Sequence, residues 1–314
     1  NSFTYNTNPQ GPDTNTKTGS TGAVTYSYSG TGGTSYGPSA TKPTVVGSYT
    51  VTATLAGDSN YNGATSSAFA FTIDKAPSTI TVTGATSFTY NTNPQGPDTN
   101  TKTGSTGAVT YSYSGTGGTS YGPSATKPTV VGSYTVTATL AGDSNYNGAT
   151  STPYAFTIDK APSTITVTGT NSFTYNGSSQ GPATSTSTGS TGGVTYSYVG
   201  TGGTIYGPSS TPPTGAGSYT VTATLASDDN FNGAVSDPFV FVIEKAPSTI
   251  LVLPETYTYN TFPQGPGNGQ TSTTGSSGGV VYEYSGTDNF GNSYGPSSTP
   301  PTHAGNYTVK AVLA

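Results

Sequence analysis

The residues best placed to do chemistry stand in a short stretch that the chain repeats. "GSYTVTATLAGDSNYNG" runs from Gly47 to Gly63, recurs from Gly132 to Gly148, and returns from Gly217 as "GSYTVTATLASDDNFNG". Its second half sets Asp58 and Asn60 in D-x-N spacing, as it does Asp143 with Asn145 and Asp228 with Asn230. Carboxylates and amides spaced in this way are calcium ligands, but calcium takes about six to eight oxygens, several of them carboxylates. One Asp per loop with amides and backbone carbonyls makes a weak calcium site. Gly, Asp, Ser and Asn are also the residues that accept tight-turn dihedrals and hydrogen-bond their own backbone. The turn is the preferred reading, with weak calcium as the one cofactor alternative. Asp74, Asp159 and Glu244 could hold an ion at the domain ends, but each precedes a Lys and reads as surface charge.

Catalytic groups are scarce. The single histidine, His303, stands where the other repeats carry Val45, Val130 and Gly215, the position of a tolerated loop variant. No Ser has an imidazole partner for nucleophilic work, and the acids form no recurrent carboxylate pair for proton transfer. Lys75, Lys160 and Lys245 recur, but an isopeptide cross-link needs them buried with an Asn and an acid, and they sit in a linker beside solvent. The chain reads as non-enzymatic. Tyrosines beside Gly turns could stack on sugar rings, which leaves an array of weak glycan- or calcium-binding modules as the alternative function.

Composition narrows the classes further. The chain has 314 residues with 44 Gly, 23 Pro and 24 Tyr, no Cys, Met or Trp, 7% charged residues and a net charge of -5. Zero Cys excludes disulfides and thiolate metal sites. Few Lys and Arg and a mild negative charge argue against a nucleic-acid partner. No apolar run reaches the roughly 20 residues of a membrane helix. Tyrosine supplies core area that aliphatic residues do not, since the ring buries a large apolar face while the hydroxyl finds a partner.

Self-similarity decides the organisation. "SFTYN" occurs at Ser2 and Ser87, "NSFTYN" at Asn171 and "TYTYN" at Thr256; "YGPS" opens at Tyr36, Tyr121, Tyr206 and Tyr294; "KAPSTI" opens at Lys75, Lys160 and Lys245. The period is about 85 residues, the size of one small domain. From Ser2 to Thr83 the first repeat differs from the second only where Ser67, Ala68 and Phe69 become Thr152, Pro153 and Tyr154. Four domains are expected: residues 1–75 without a first strand, 76–160, 161–245, and 246–314 without a last strand. The expectation is a window from a longer array; the alternative is that neighbouring molecules supply the missing edge strands.

Within a repeat, alternation marks strands. Tyr49, Val51, Ala53 and Leu55 point one way, and the intervening Ser and Thr the other. Val24, Tyr26 and Tyr28, then Phe69, Phe71 and Ile73, then Ile80 and Val82, and Phe3 and Tyr5 repeat the pattern, and Tyr307, Val309 and Ala311 keep it in the fourth repeat. No segment has a helical period. The fold class is all-β: tandem sandwich domains. The "DKAPS" joint is short, stiffened by Pro and free of Gly, so Lys75 with Pro77, Lys160 with Pro162 and Lys245 with Pro247 are linker residues. A constant joint yields an elongated rod, about 35–40 Å per domain and about 150 Å for four.

"FTYNGSSQGP", "GPSSTPPTGAGSYTVTATLASDDNFNGAVSDPFVFVIEKA" and "KAPSTITVTG" resemble the MBG (mostly β, glycine-rich) repeats of giant bacterial surface proteins and adhesins. The resemblance covers the chain four times over. It implies an immunoglobulin-like sandwich, export to the bacterial cell surface and a place in an extended stalk or filament, and it carries over no active residue. The partners it implies are further repeats of the same chain and other copies in a filament. Gly47, Tyr49 and Val51 also resemble the tyrosine corner of Ig-like domains, in which the hydroxyl bonds back to the main chain; Tyr134, Tyr219 and Tyr307 are the counterparts.

Overall fold

The computed structural model describes residues 1–314, the side chain of Asn268 excepted. Apart from one 3-10 turn at Asn268–Gln270, every regular element is a strand. The chain divides into two compact units. One holds Asn1–Ser163 with Gly189–Thr191 and Ser227–Gly233; the other holds Thr164–Thr188, Gly192–Ala226 and Ala234–Ala314.

The second repeat shows how the pattern folds. Its central strand, Gly132–Leu140, pairs antiparallel with Val109–Thr116 on one edge. Tyr154–Asp159 and the short Ala149–Thr150 share the other edge. Tyr154–Asp159 then takes Ser87–Thr89 in parallel. A second layer is a two-stranded ribbon, Thr79–Thr83 against Thr99–Thr103. Ile80 and Val82 of this ribbon join Tyr113, Tyr134, Val136, Ala138, Leu140, Phe156 and Ile158 in one core. The third repeat, in the other unit, builds the same core from Ile165, Val167, Tyr198, Tyr219, Val221, Ala223, Leu225, Phe241 and Ile243. Burying one such side chain contributes about 1.5–3 kcal/mol, so a core this small leaves little surplus.

Identical sequence has different burial in the first repeat. Leu140 is buried, whereas Leu55, in the same letters, is half-buried. Among the described residues no ribbon lies over Leu55 as one does over Leu140, and residues 14–18 run without a strand partner, while their equivalents in Thr99–Thr103 are paired.

Tyrosine carries much of the core, and its hydroxyls show why the interior tolerates it. Tyr113 donates to Pro97 O at 3.0 Å, and Tyr121 donates to Thr126 O at 2.7 Å. Tyr28, Tyr198 and Tyr284 make the same bond to Pro12, Pro182 and Pro266. A buried hydroxyl without such a partner would cost free energy. Burial pushes the Tyr113 hydroxyl up to about 12. The "QGP" glycine is fixed by these rings: at Gly96, with φ +151°, a Cβ would lie 3.0 Å from Phe156 and 3.1 Å from Tyr113.

Candidate functional site at the repeat joint

Each Asp of the repeated loop is turned inward on the backbone. In the second repeat Asp143 Oδ1 accepts from the backbone N–H groups of Asn145 and Tyr146, both at 2.9 Å. Its Oδ2 accepts from Thr106 N at 2.9 Å and Thr106 Oγ1 at 3.2 Å. Asp58 does the same with Asn60, Tyr61 and Thr21, and Asp228 with Asn230, Phe231 and Thr191. The Thr106 N–H, then that of Asn145, holds the Asp143 carboxyl down at about 2. The Thr191 N–H does the same to Asp228, also at about 2. Thr21, followed by Asn60, holds Asp58 well below the usual carboxylate range.

This arrangement answers the calcium reading on its chemistry. Both carboxylate oxygens are aimed at donors, so a cation would have to replace the bonds that close the loop. Asn145 Oδ1 and Asn230 Oδ1 are buried and have no hydrogen-bond partner, but each loop adds only the one committed carboxylate. Among the described residues no group of three or more His, Cys, Asp or Glu gathers. The donor set is that of a locked turn, with one carboxylate per loop.

What the locked loop presents is a seat for the linker of the preceding repeat. Ala76 N donates to Asn145 O at 3.0 Å, and Asn147 N donates to Ala76 O at 2.9 Å, a parallel bridge between linker and loop. Lys75 Nζ donates to Asp143 O at 2.5 Å, and Ser78 Oγ to Asn147 O at 2.6 Å. The Tyr5 ring of the first repeat meets Tyr146 edge-on at 5.3 Å. Ala76 itself is buried. The same contacts recur inside the first unit between Ala161 and the loop at Ser227–Gly233. Ala161 N donates to Asn230 O, Asn232 N to Ala161 O, and Lys160 Nζ to Asp228 O at 2.6 Å. Tyr90 meets Phe231 edge-on at 5.3 Å.

Lys75 and Lys160 lie in the linker, and each ammonium spans the joint to a backbone carbonyl of the next loop. Tyr146 and Phe231 meet the preceding repeat's tyrosine edge-on, while Tyr61 in the first repeat, 56% exposed, lies against Gly19 of its own repeat. Pro77 and Pro162 are exposed, as are Lys245 and Pro247 in the second unit. Sequence reasoning missed Ala76, Ala161, Asn147, Asn232, Tyr5 and Tyr90. Their signal was the joint recurrence of an unchanged linker with a loop that keeps its Asp, both Asn and an aromatic.

The four tyrosines that follow the strand-opening glycine or its neighbour bond backwards. Tyr49 and Tyr134 donate to Val45 O and Val130 O at 2.7 Å; Tyr219 donates to Gly215 O at 2.8 Å and Tyr307 to His303 O at 3.0 Å. His303 also sets Nδ1 3.3 Å from Asp288 Oδ2, in a loop peculiar to the fourth repeat. Asn292, first through its side chain, lowers the Asp288 carboxyl.

The comparisons with known proteins follow the same period. The model of the MBG domain matches residues 2–77, 78–162 and 163–247. The chain belongs to the MBG domain family. Its MBG repeats are tandem, and residues 248–314 lie outside the matched ranges. No curated protein matches the chain. Among solved structures it is similar to Drosophila N-cadherin EC1-4, at 9% identity over 90% of this chain and 85% of that one, with a TM-score of 0.22. It is similar also to the Bacteroides ovatus mixed-linkage glucan utilization locus protein SGBP-B in complex with a mixed-linkage heptasaccharide. There the identity is 14% over 92% of this chain and 80% of that one, with a TM-score of 0.12. Superpositions this loose carry no argument about ligand or role.

Proposed function

We propose that this tandem MBG array is a non-enzymatic structural segment, the stalk or shaft of a bacterial cell-surface adhesin or extracellular filament. The observation that carries the reading is the bridge from Ala76 to Asn145 and Asn147. A linker that merely tethered two domains would leave its backbone to water. This one is hydrogen-bonded on both sides of Ala76 and capped by Lys75, which fixes the first repeat against the second. Conformational freedom that is removed at a joint is what a projecting module needs, because a flexible tether of the same length collapses toward a coil. The surface is in keeping with exposure: outward strand positions are Thr and Ser, hydrophilic without much charge.

No helix among the described residues is long and apolar enough to cross a membrane. The stalk itself is tested by labelling intact producing cells with antibody raised against the repeats and imaging the labelled structures. Labelled projections that lengthen as repeats are inserted support the reading. Label confined to permeabilised cells contradicts it.

A further inference from the structure

One turn recurs in all four repeats, and in the third its chemistry changes. Asn6, Asn91, Asn176 and Asn260 each accept, on the side-chain oxygen, the backbone N–H two residues on, at 3.0, 3.0, 2.9 and 3.0 Å. This is a turn that Asn favours. The residue between is Thr7, Thr92 and Thr261 in three repeats, at φ 70, 69 and 70°, and Gly177 in the third, at φ 79°. The backbone is thus alike in the four turns, and the side chain of the middle residue is the variable. A β-branched residue is strained at positive φ, whereas Gly is not. Packing does not demand the glycine, since a Cβ on Gly177 would meet nothing within 4 Å.

An Asn followed by Gly holds both partners of a reaction with itself. The Gly177 nitrogen is the nucleophile and the Asn176 side-chain carbonyl carbon the electrophile. The Ser178 N–H on Asn176 Oδ1 draws electrons from that carbon and stabilises the charge that gathers on the oxygen under attack. Among the described residues the Gly177 N–H donates to no acceptor, so no bond has to break before it reacts. Asn176, Gly177 and Ser178 are all exposed, which admits water. In the other three turns the stiff, branched side chain of Thr stands beside the attacking nitrogen and crowds the ring that would form.

We infer that Asn176 with Gly177 is a self-modification site, at which the Asn176 amide is converted through a succinimide to aspartate and isoaspartate. Gly177 N bonds to Asn176 Cγ, the Cγ–Nδ2 bond breaks, and Nδ2 leaves as ammonia with the proton from Gly177 N. Water then opens the ring. Cleavage between Cγ and Gly177 N gives aspartate; cleavage between the Asn176 main-chain carbonyl and Gly177 N gives isoaspartate, whose main chain runs through Cβ and is a methylene longer. The fold leaves this turn little slack. Tyr175 N donates to Glu244 O at 2.8 Å, Gln180 N to Pro213 O at 2.8 Å and Gln180 Nε2 to Thr174 O at 3.0 Å. The added methylene is taken up between these anchors, beside the ladder of Ser172–Thr174 with Val242–Glu244. The Asn-Gly pairs at the repeat joints are held differently: Asn147 Nδ2 and Asn232 Nδ2 donate to Lys75 O and Lys160 O at 3.3 Å, which ties the departing nitrogen to the linker. The inference is independent of the stalk reading, since it concerns a reaction within one turn and not where the chain is displayed.

The test incubates the 314-residue chain in isotopically labelled water at mildly alkaline pH and follows its Asn residues by peptide mass spectrometry, with fragmentation that separates isoaspartate from aspartate. Asn176 should convert at least about tenfold faster than Asn91, equivalent to about 1.4 kcal/mol in the barrier. It should also outpace Asn147 and Asn232. Gly177→Thr should bring Asn176 down to the rate of Asn91, and Thr92→Gly should raise Asn91 to that of Asn176. In urea the lead over Asn147 and Asn232 should vanish while the lead over Asn91 stays. The isoaspartate form should exchange its Tyr175 and Gln180 amides faster. Equal conversion of Asn176 and Asn91 in the folded chain overturns the inference, as does a Thr92→Gly chain in which Asn91 stays inert. A folded chain in which Asn147 and Asn232 lead overturns it as well.

Discussion

The Tyr5 ring meets the Tyr146 ring edge-on at 5.3 Å, from one MBG repeat to the next, and the same pair recurs as Tyr90 with Phe231. An edge-on aromatic pair of this kind contributes about 0.5–1.5 kcal/mol beyond the area it buries. It lies beside the Ala76 bridge and the Lys75 bond, so three contacts of different chemistry converge on one short linker. Tyr146→Ser should therefore loosen the joint without unfolding either sandwich. Hydrogen exchange is expected to quicken at the Ala76 and Asn147 amides while protection in Gly132–Leu140 stays unchanged. Equal loss in both places would show that Tyr146 supports its own core instead.

The tyrosine that bonds backwards gives a second prediction. Tyr134→Phe keeps the ring stacked on Phe156 but leaves the Val130 carbonyl without its donor. The expected loss is about 1–2 kcal/mol in urea unfolding, the range for removing one partner of a partly buried hydrogen bond. An unchanged midpoint would mean that water replaces the hydroxyl without cost.

Acid should weaken the loops in a defined window. Asp143 and Asp228 are held at about 2 in the folded chain, below the ordinary 3.8. A depressed folded value contributes stability that is fully present above the ordinary value and is lost as pH falls through the folded one. Unfolding midpoints should thus be level above about pH 5 and decline between about pH 4 and 2. Asp58→Asn, Asp143→Asn and Asp228→Asn together should flatten that decline. A decline of the same size in the triple variant would place the acid sensitivity elsewhere.

The loop chemistry also makes a prediction about calcium. Because both carboxylate oxygens of Asp143 already accept from Thr106, Asn145 and Tyr146, millimolar calcium or a chelator should leave the melting temperature unchanged. A calcium-dependent rise that vanishes in Asp143→Asn would reverse this reading.

Much of the fold could be read in the letters, and the exceptions have physical causes. Alternation located the strand Gly132–Leu140 and its inward face Tyr134, Val136, Ala138 and Leu140, because one side of the strand is buried and the other is not. The strand Thr99–Thr103 was missed: "TNTKT" has no apolar face, and it is held by the Thr79–Thr83 ladder and by Thr79 to Thr103 hydroxyl contact. The joint was half legible. Ala-Pro signalled a stiff linker, but its partner lies some 70 residues away, as for Lys75 with Asp143. Nothing in a local pattern announces a backbone bridge between a linker and a distant turn. The Asp58 family was read as a turn with weak calcium as the alternative, since a carboxylate that caps N–H groups and one that binds calcium look alike in sequence.

The central claim is that the linker is ordered by the next repeat's loop, and one distance measurement tests it most directly. The chain has no Cys, so spin labels at Val45→Cys and Val130→Cys would be the only ones, at equivalent exposed positions of the first two repeats. The account predicts a single narrow distance distribution between the labels, broadened when Ala76→Pro removes the N–H donated to Asn145 and Tyr146→Ser removes the ring against Tyr5. A broad distribution in the otherwise unaltered chain, unchanged by those two substitutions, would contradict it.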